Sequence, residues 1–420
     1  LKAEIIAIGN EILFGQVVDT NTAFIASELH KLGIAVLRKS AVADTKEELL
    51  KSLRESLDTA DLVILTGGLG PTHDDITKKT VASFLKRRLI LNDKVLLTVK
   101  NHFAQKGTRM PQVNTSQALV PQGAEILANP LGTAPGLLFE ESYGTIILLP
   151  GVPAEMRTIF AESIIPYLTQ KSDRIPIAVQ TIHTTGIAES ALYERLKGIR
   201  TKAKLAFLPR FTGVDIQVTV ISDSSAAAKD GLKKTAGTII DKLDDYYYGS
   251  DDESLERVIG ILLSMRRKTV AVAESCTAGL LMKRITDVPG SSLYFVGGVV
   301  SYSNDVKVNI LQVREKIIKL KGAVSGEVAK AMAKGIRNLM KADFGISITG
   351  IAGPGGSTEN KPLGLVFLGF SDAKDAVAIR FRFRGTREII REQAVQAALD
   401  LLRRKLLGLP SEGIGSEEQG

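Results

Sequence analysis

The sequence predicts an α/β protein in three parts: a doubly wound N-terminal domain, a small α+β module and a C-terminal α/β domain. Three observations predict it. Over residues 1–168, apolar runs ending in glycine alternate with stretches of helical period, the pattern of buried strands covered by amphipathic helices. Residues 171–248 differ: strand, helix, two strands joined by a turn, then helix. From about residue 251 to 409 the strand-and-helix alternation returns.

The elements follow in order. AEIIAIG (3–9), DLVILTGG (61–68) and TIILLPG (145–151) read as buried strands, and 34–42 as a weaker one. NTAFIASELHKLG (21–33) carries Phe24, Ile25, Leu29 and Leu32 at helical spacing, and Gly33 stops it. Ligands of such sheets bind at the carboxyl ends of the strands. Those ends carry GNEILFG, TGGLGPTHDD and PGVPAEM. In the middle, IPIAVQTIHTTG reads as a strand, IAESALYERLKGI as a helix, LAFLPRFTGVDIQVTVIS as a hairpin and 224–243 as a helix. This order is KH-like, but no GxxG loop follows a helix. A spacer or dimerisation module is expected, without RNA binding. The last domain reads as helix 255–266, strand 269–273, strand 344–349 with a Gly-rich loop after it, and strands GLVFLGF and AVAIRFRF. In the last of these, Val377, Ile379, Phe381 and Phe383 face one way, and Arg380, Arg382 and Arg384 the other. The final helix starts near Thr386, and residues 410–420 are expected to be a disordered tail.

Composition narrows the chemistry. The 420 residues are 44% apolar and 24% charged, a globular profile. No apolar run nears the roughly 20 residues of a membrane helix, so no membrane partner is expected. The apolar stretch 3–8 is too short for a secretory core and lacks a cleavage site, so a cytoplasmic location is expected. The single cysteine, Cys276, excludes a disulfide within the chain and a cysteine-rich zinc site. The net charge of +8 suits small phosphorylated substrates as well as nucleic acid. With no Trp and 5% aromatic residues, base stacking on nucleic acid is not expected. The four histidines are His30, His73, His102 and His183. Chemistry beyond residue 183 must work without imidazole, unless another domain or subunit lends one.

Several motifs fit that restriction. AESCTAGLL follows a strand and opens a helix, so Ser275 is either a helix cap or a nucleophile beside free helix N–H groups. VSYSNDVK supplies Lys307 and Tyr302. A lysine of lowered pKa is a base for serine, Arg387 can depress it, and Tyr302 can relay the proton. The competing reading of Lys307 is a solvated surface lysine. TGIAGPGGSTENKPLG brings Gly353, Pro354, Gly355 and Gly356 to a strand end, as a phosphate-cradling loop or a plain turn. Arg387 and Arg391, four apart on a helix, either clamp an anion or are surface charge. Cys276 reads as a small buried residue rather than a thiolate. In TGGLGPTHDDIT, glycines at a strand end precede Asp74 and Asp75, which are a divalent-metal pair or first-turn acids after a cap.

Taken in order, IGNEILFGQVVDTN, TGGLGPTHDD, NPLGTAPG, LPGVPAEM, AESCTAGLL, PGSSLYFVGGVVSYSNDVK, GAVS, TGIAGPGG and KPLG resemble the CinA (competence/damage-inducible) family over essentially the whole chain. The resemblance implies a molybdopterin-binding-like N-terminal domain over 1–168 and a KH-like module over 171–248. It implies a C-terminal nicotinamide mononucleotide (NMN) deamidase over 251–409. Its catalytic residues fall on Ser275, Lys307, Tyr302 and Arg387, with substrate contacts at Thr277, Ala278, Gly279, Gly353, Pro354, Gly355, Gly356 and Arg391. For the N-terminal domain it implies ADP-ribose pyrophosphatase activity with a divalent metal (Mg, Mn or Co) and potassium. Asp74 and Asp75 are the expected metal ligands. Asn21, Thr66, Gly67, Gly68, Gly70, Pro71, Thr72, Gly132, Gly151 and Glu155 form the expected nucleotide site. The deamidase needs no cofactor, and a homodimer is expected, as the family forms dimers. The chain departs from the family at Thr386, where an acid is frequent, and at Asn10, where many members have Asp. Two rivals remain: an N-terminal domain that only binds a pterin or nucleotide, and an interaction protein of DNA uptake or repair.

Overall fold

The computed structural model describes residues 1–171 and 175–410, so nearly all of the expected tail lies outside the described residues. The chain divides into two units, Leu1–Ala178 with Ile221–Ala228, and Val179–Val220 with Lys229–Gly420.

The first unit contains β1 (Lys2–Ile8), β2 (Ala35–Val42), β3 (Leu62–Thr66), β4 (Leu89–Leu91), β5 (Leu119–Pro121), β6 (Glu125–Leu127), β7 (Gly136–Glu141) and β8 (Gly144–Leu149). Six of them form a sheet in the order β2-β1-β3-β8-β7-β6. Its β1–β2, β1–β3 and β3–β8 pairs are parallel, whereas β7–β8 and β6–β7 are antiparallel. Side-chain alternation sends Ile6, Ile8, Val63 and Leu65 into one core, and Ala3, Ile5, Leu62 and Ile64 into the other. Helix Lys46–Leu57 supplies Leu49 and Leu53 to the first core, and helix Asn21–Lys31 supplies Ile25 and Leu29 to the second. The sheet is thus covered on both faces, the doubly wound arrangement. Strand β2 lies at the edge with five of its eight residues exposed, which explains its weak apolar pattern in sequence.

The middle of the chain carries β9 (Ile177–Thr184), β10 (Lys204–Arg210), β11 (Gly213–Ile221) and β12 (Tyr247–Ser250), ordered β10-β11-β9-β12. Helices Glu189–Leu196 and Ser225–Leu243 bury Leu192, Leu196, Ile239 and Leu243 against Ile182, Ile216 and Val218 of the sheet.

The C-terminal sheet has β13 (Val270–Glu274), β14 (Phe295–Val300), β15 (Phe344–Gly350), β16 (Leu365–Ser371) and β17 (Ala376–Arg382), ordered β14-β13-β15-β16-β17. Strands β14, β13 and β15 are parallel, and β16 and β17 continue antiparallel. Val270 and Val272 face helices Leu255–Met265 and Arg387–Leu407, while Ala271 and Ala273 face helix Gly326–Met340. On β17, Phe381 is buried and Arg380 and Arg382 are exposed, as the alternation requires. Helix Arg387–Leu407 buries charges as well as leucines. Asp400 pairs with Arg403 and Arg404, and Arg403 also donates 3.1 Å to the Tyr247 carbonyl. Buried charges are tolerated only when paired and hydrogen-bonded in this way. Among the described residues, no helix is long and apolar enough to cross a membrane.

Candidate active site

Three strand ends converge in the C-terminal domain. Ser275 follows β13, Ser301 and Tyr302 follow β14, and the Gly-rich loop follows β15. They surround a cavity of about 260 Å³ that Ser275, Lys307, Tyr302 and Arg387 all line. Strand carboxyl ends are where an open α/β sheet offers room for a ligand.

Ser303 builds the arm that brings Lys307 in. Its hydroxyl accepts 3.2 Å from the Val306 amide and caps helix Asn304–Asn309. Lys307 turns inward from this helix and is only 1% exposed. Its Nζ lies 3.2 Å from Ser275 Oγ, 2.6 Å from the Ser301 carbonyl and 3.3 Å from the Tyr302 carbonyl. Burial pushes its pKa below the ordinary lysine value. Lys307 is therefore not the solvated surface lysine of the competing reading. Arg387 is not what depresses it: that guanidinium turns to the Gly353 carbonyl at 2.6 Å and the Tyr302 hydroxyl at 3.3 Å. The same contact corrects the expected relay. Tyr302 is 61% exposed and its hydroxyl accepts from Arg387, whereas Lys307 meets only its backbone carbonyl.

Ser275 is not a helix cap. The helix begins at Leu280 with Gly279 as its cap residue, in the left-handed region at φ 95°. The amides of that helix start are instead bound by Glu274, the last residue of β13, which sequence reasoning did not single out. This fully buried carboxylate accepts from the amides of Gly279 (3.0 Å), Leu281 (3.1 Å) and Met282 (2.9 Å). The helix N-terminus is therefore already occupied by an anion. The Ala278 amide, in a residue expected to contact substrate, donates instead to the Ser275 carbonyl at 3.2 Å. The amides of Cys276 and Thr277 have no backbone acceptor among the described residues. The Cys276 thiol is buried and its pKa is pushed up to about 11, in keeping with a small buried residue.

The remaining expected contacts divide. Gly353, Gly355 and Gly356 line the cavity; Pro354, Thr277, Ala278 and Gly279 do not. Gly353 and Gly356 have φ of 83° and 87°, which favours glycine at both. Thr386 caps the helix that carries Arg387, accepting 3.4 Å from Ile389. Arg391, one turn on, lies outside the cavity lining and donates 2.7 Å to the Thr277 carbonyl, so the two arginines do not clamp one anion. Asn304, which sequence reasoning did not single out, lines the cavity.

The first unit has its own cavity of about 500 Å³ at the ends of β1, β3 and β8. Asn21, Thr66, Gly67, Gly68, Gly70, Pro71, Gly151 and Glu155 line it; Thr72 and Gly132 do not. Asn21 donates to Thr66 Oγ1 (3.0 Å) and the Gly151 carbonyl (2.8 Å), and its buried Oδ1 has no partner. Gly132 packs under Glu155, where a Cβ would meet the carboxyl carbon at 2.2 Å. The expected metal ligands Asp74 and Asp75 both line this cavity, but they are differently engaged. Asp75 closes its own loop, accepting from Gly70 N (2.8 Å), Thr72 N (2.9 Å) and Thr72 Oγ1 (2.6 Å). The Asp74 side chain is 74% exposed, beside His73. Among the described residues, no group of three acidic, histidine or cysteine side chains is placed to hold a metal ion. Asp74 and Asp75 alone would leave most of a dication's coordination to a bound phosphate and water. Burial first, and then the charges of Glu11, Asp74 and Asp75, raise the Asp44 pKa against a bond from the Asn10 amide.

Comparison with known proteins places these features. Residues 252–406 match the family described as the CinA C-terminal domain, 4–170 the probable molybdopterin binding domain, and 179–249 the damage-inducible protein CinA KH domain. A relative from Halothermothrix orenii, described as competence-damage inducible, is 42% identical over 96% of this chain and 98% of its own. A CinA-like protein of Cytophaga hutchinsonii is 39% identical over 97% of this chain and 98% of its own. Among solved structures, the protein CinA from Thermoplasma acidophilum is 34% identical, covering 40% of this chain and 97% of its own, with a TM-score of 0.37.

Proposed function

The chain belongs to the CinA family, and from that premise we propose that its C-terminal domain deamidates NMN by serine–lysine chemistry. The observation that carries the proposal is a buried lysine amine 3.2 Å from a serine hydroxyl at a strand-end cavity. Burial favours the neutral amine, which has two N–H groups and one lone pair. The Ser301 and Tyr302 carbonyls take the two N–H groups, and the lone pair is left for the Ser275 hydroxyl. No histidine competes for the role. His183, the last in the chain, is buried against Asp215 at 2.8 Å and the Asp251 carbonyl at 2.7 Å.

In the reaction, Ser275 Oγ attacks the carboxamide carbon as its proton passes to Lys307 Nζ. The oxyanion falls to the amide of Cys276, a lining residue of the cavity with no backbone acceptor of its own among the described residues. Lys307 returns the proton to the nitrogen, the C–N bond breaks and ammonia leaves. Water, deprotonated by Lys307, then attacks the acyl carbon and releases Ser275, giving nicotinate mononucleotide. Arg387 and the loop of Gly353, Gly355 and Gly356 supply the side of the cavity for the phosphate. Both arginine contacts are to neutral oxygens, which an anion can join.

The N-terminal cavity we assign to a nucleotide. Its support is the Gly-rich end of β3 beside the unpartnered acceptor of Asn21. Cleavage of ADP-ribose there remains the family's implication, and no step is built on Asp74 and Asp75. The test is mass spectrometry of a nucleotide panel incubated with the purified chain. Conversion of NMN to the acid is expected; an unchanged panel defeats the proposal.

A further inference from the structure

The cavity beside Ser275 has several polar side chains, and nearly all are committed to protein partners. Ser275 and Lys307 hold each other at 3.2 Å. Arg387 holds the Gly353 carbonyl and the Tyr302 hydroxyl. The Thr349 hydroxyl donates 2.9 Å to the Ala323 carbonyl. Asn304 is the exception among the described lining residues: its carboxamide makes no hydrogen bond within the protein.

Its position gives that freedom a use. Asn304 is the first residue of helix Asn304–Asn309, and Ser303 already does the capping. Three residues later comes Lys307. Residues at this spacing are neighbours on one helix face, and both of these line the cavity. An atom placed for Lys307 to protonate is therefore close to Asn304 as well.

Building on the amidase reading above, we infer that Asn304 is the specificity residue for the leaving group. Its Oδ1 accepts an N–H of the scissile carboxamide. Once Ser275 has added to the carbonyl carbon, this bond turns the nitrogen lone pair toward the protonated Lys307. The lysine proton goes to nitrogen, the C–N bond breaks and ammonia departs. An ester of the same acid places oxygen there, with no hydrogen to donate, and leaves Oδ1 unmatched. Sites built around a polar partner reject analogues that lack it.

The experiment compares kcat/KM for two substrates: NMN and the methyl ester of nicotinate mononucleotide. It uses the full chain as wild type, Asn304→Ala and Asn304→Asp. Asn304 is exposed, so neither change removes packing. Loss of one such neutral hydrogen bond predicts a fall of about 3- to 10-fold for Asn304→Ala on the amide. On the ester the change stays below about twofold, since no bond is lost there. Asn304→Asp keeps an acceptor and holds the amide-to-ester ratio near that of the wild type. Equal losses on both substrates, or no loss on the amide, overturn this inference alone. No ammonia from the wild type overturns the amidase proposal and this inference with it.

Discussion

Replacing Lys307 with Met removes the amine and keeps an unbranched side chain of similar length. Lys307 is 1% exposed and contacts Ser275, Ser301 and Tyr302 at 3.2, 2.6 and 3.3 Å. A positioned general base contributes about 10²- to 10⁴-fold, or roughly 3–5 kcal/mol of the barrier. Stability behaves differently. The variant leaves carbonyls without donors, at about 1–3 kcal/mol, but also ends the burial of an amine. These partly cancel, so the melting temperature moves by only a few degrees. The assay is ammonia release from NMN across pH, alongside thermal unfolding. In the wild type, kcat/KM climbs about tenfold per pH unit where Lys307 loses its proton. Burial places that limb below the ordinary lysine value of 10.5. Because the folded pKa is lowered, the group also adds stability as pH rises from its folded value to 10.5, and loses it as pH falls. A Met variant keeping more than about a tenth of the activity refutes the base assignment. A limb at or above 10.5 refutes the role of burial.

Other outcomes follow from the same geometry. Glu274→Ala strands three amides, one buried and two half-buried, and should cost about 2–4 kcal/mol, seen as a lower melting temperature and lost ammonia release. Burial opposes charge on His183, but its bonds to Asp215 and the Asp251 carbonyl prevail and raise its pKa. Its stabilising contribution is thus full below about pH 6.5 and fades as pH climbs through the raised folded value. Melting curves of His183→Gln should therefore fall furthest below wild type at acid pH, and a constant gap would count against this. Asp74→Asn should leave nucleotide binding by the first unit near normal, while Asp75→Asn weakens it by freeing the Gly70–Thr72 turn. Calorimetric titration with ADP-ribose separates the two. Cys276→Ala should retain most deamidation, since a thiol held at about 11 supplies no thiolate near neutrality.

Legibility in the sequence tracked how local each determinant is. Strands β1, β3, β13 and β15 were readable because buried parallel strands are continuous apolar runs. Hairpin β7–β8 was only half seen: its second strand showed, but the short antiparallel partner ends in acids. Ser275 and Lys307 stood out by residue type, yet the burial that sets the lysine pKa depends on how β14 and helix Asn304–Asn309 pack. The arginines show the limit of spacing arguments. Arg387 and Arg391 share a helix face, but the cavity reaches only the first turn, and the second guanidinium meets Thr277. Adjacency is as weak a guide at Asp74 and Asp75, which both line the cavity while Asp75 is taken up by its own loop and Asp74 lies exposed beside His73. Glu274 was hidden because a carboxylate ending a strand shows its purpose only once the following chain folds back over it.

The most direct test of serine–lysine deamidation is ammonia release from NMN by the wild-type chain and Ser275→Ala side by side. The account predicts one ammonia per nicotinate mononucleotide formed by the wild type, and a fall of about a thousandfold or more in the variant. Near-normal ammonia release by Ser275→Ala would contradict it.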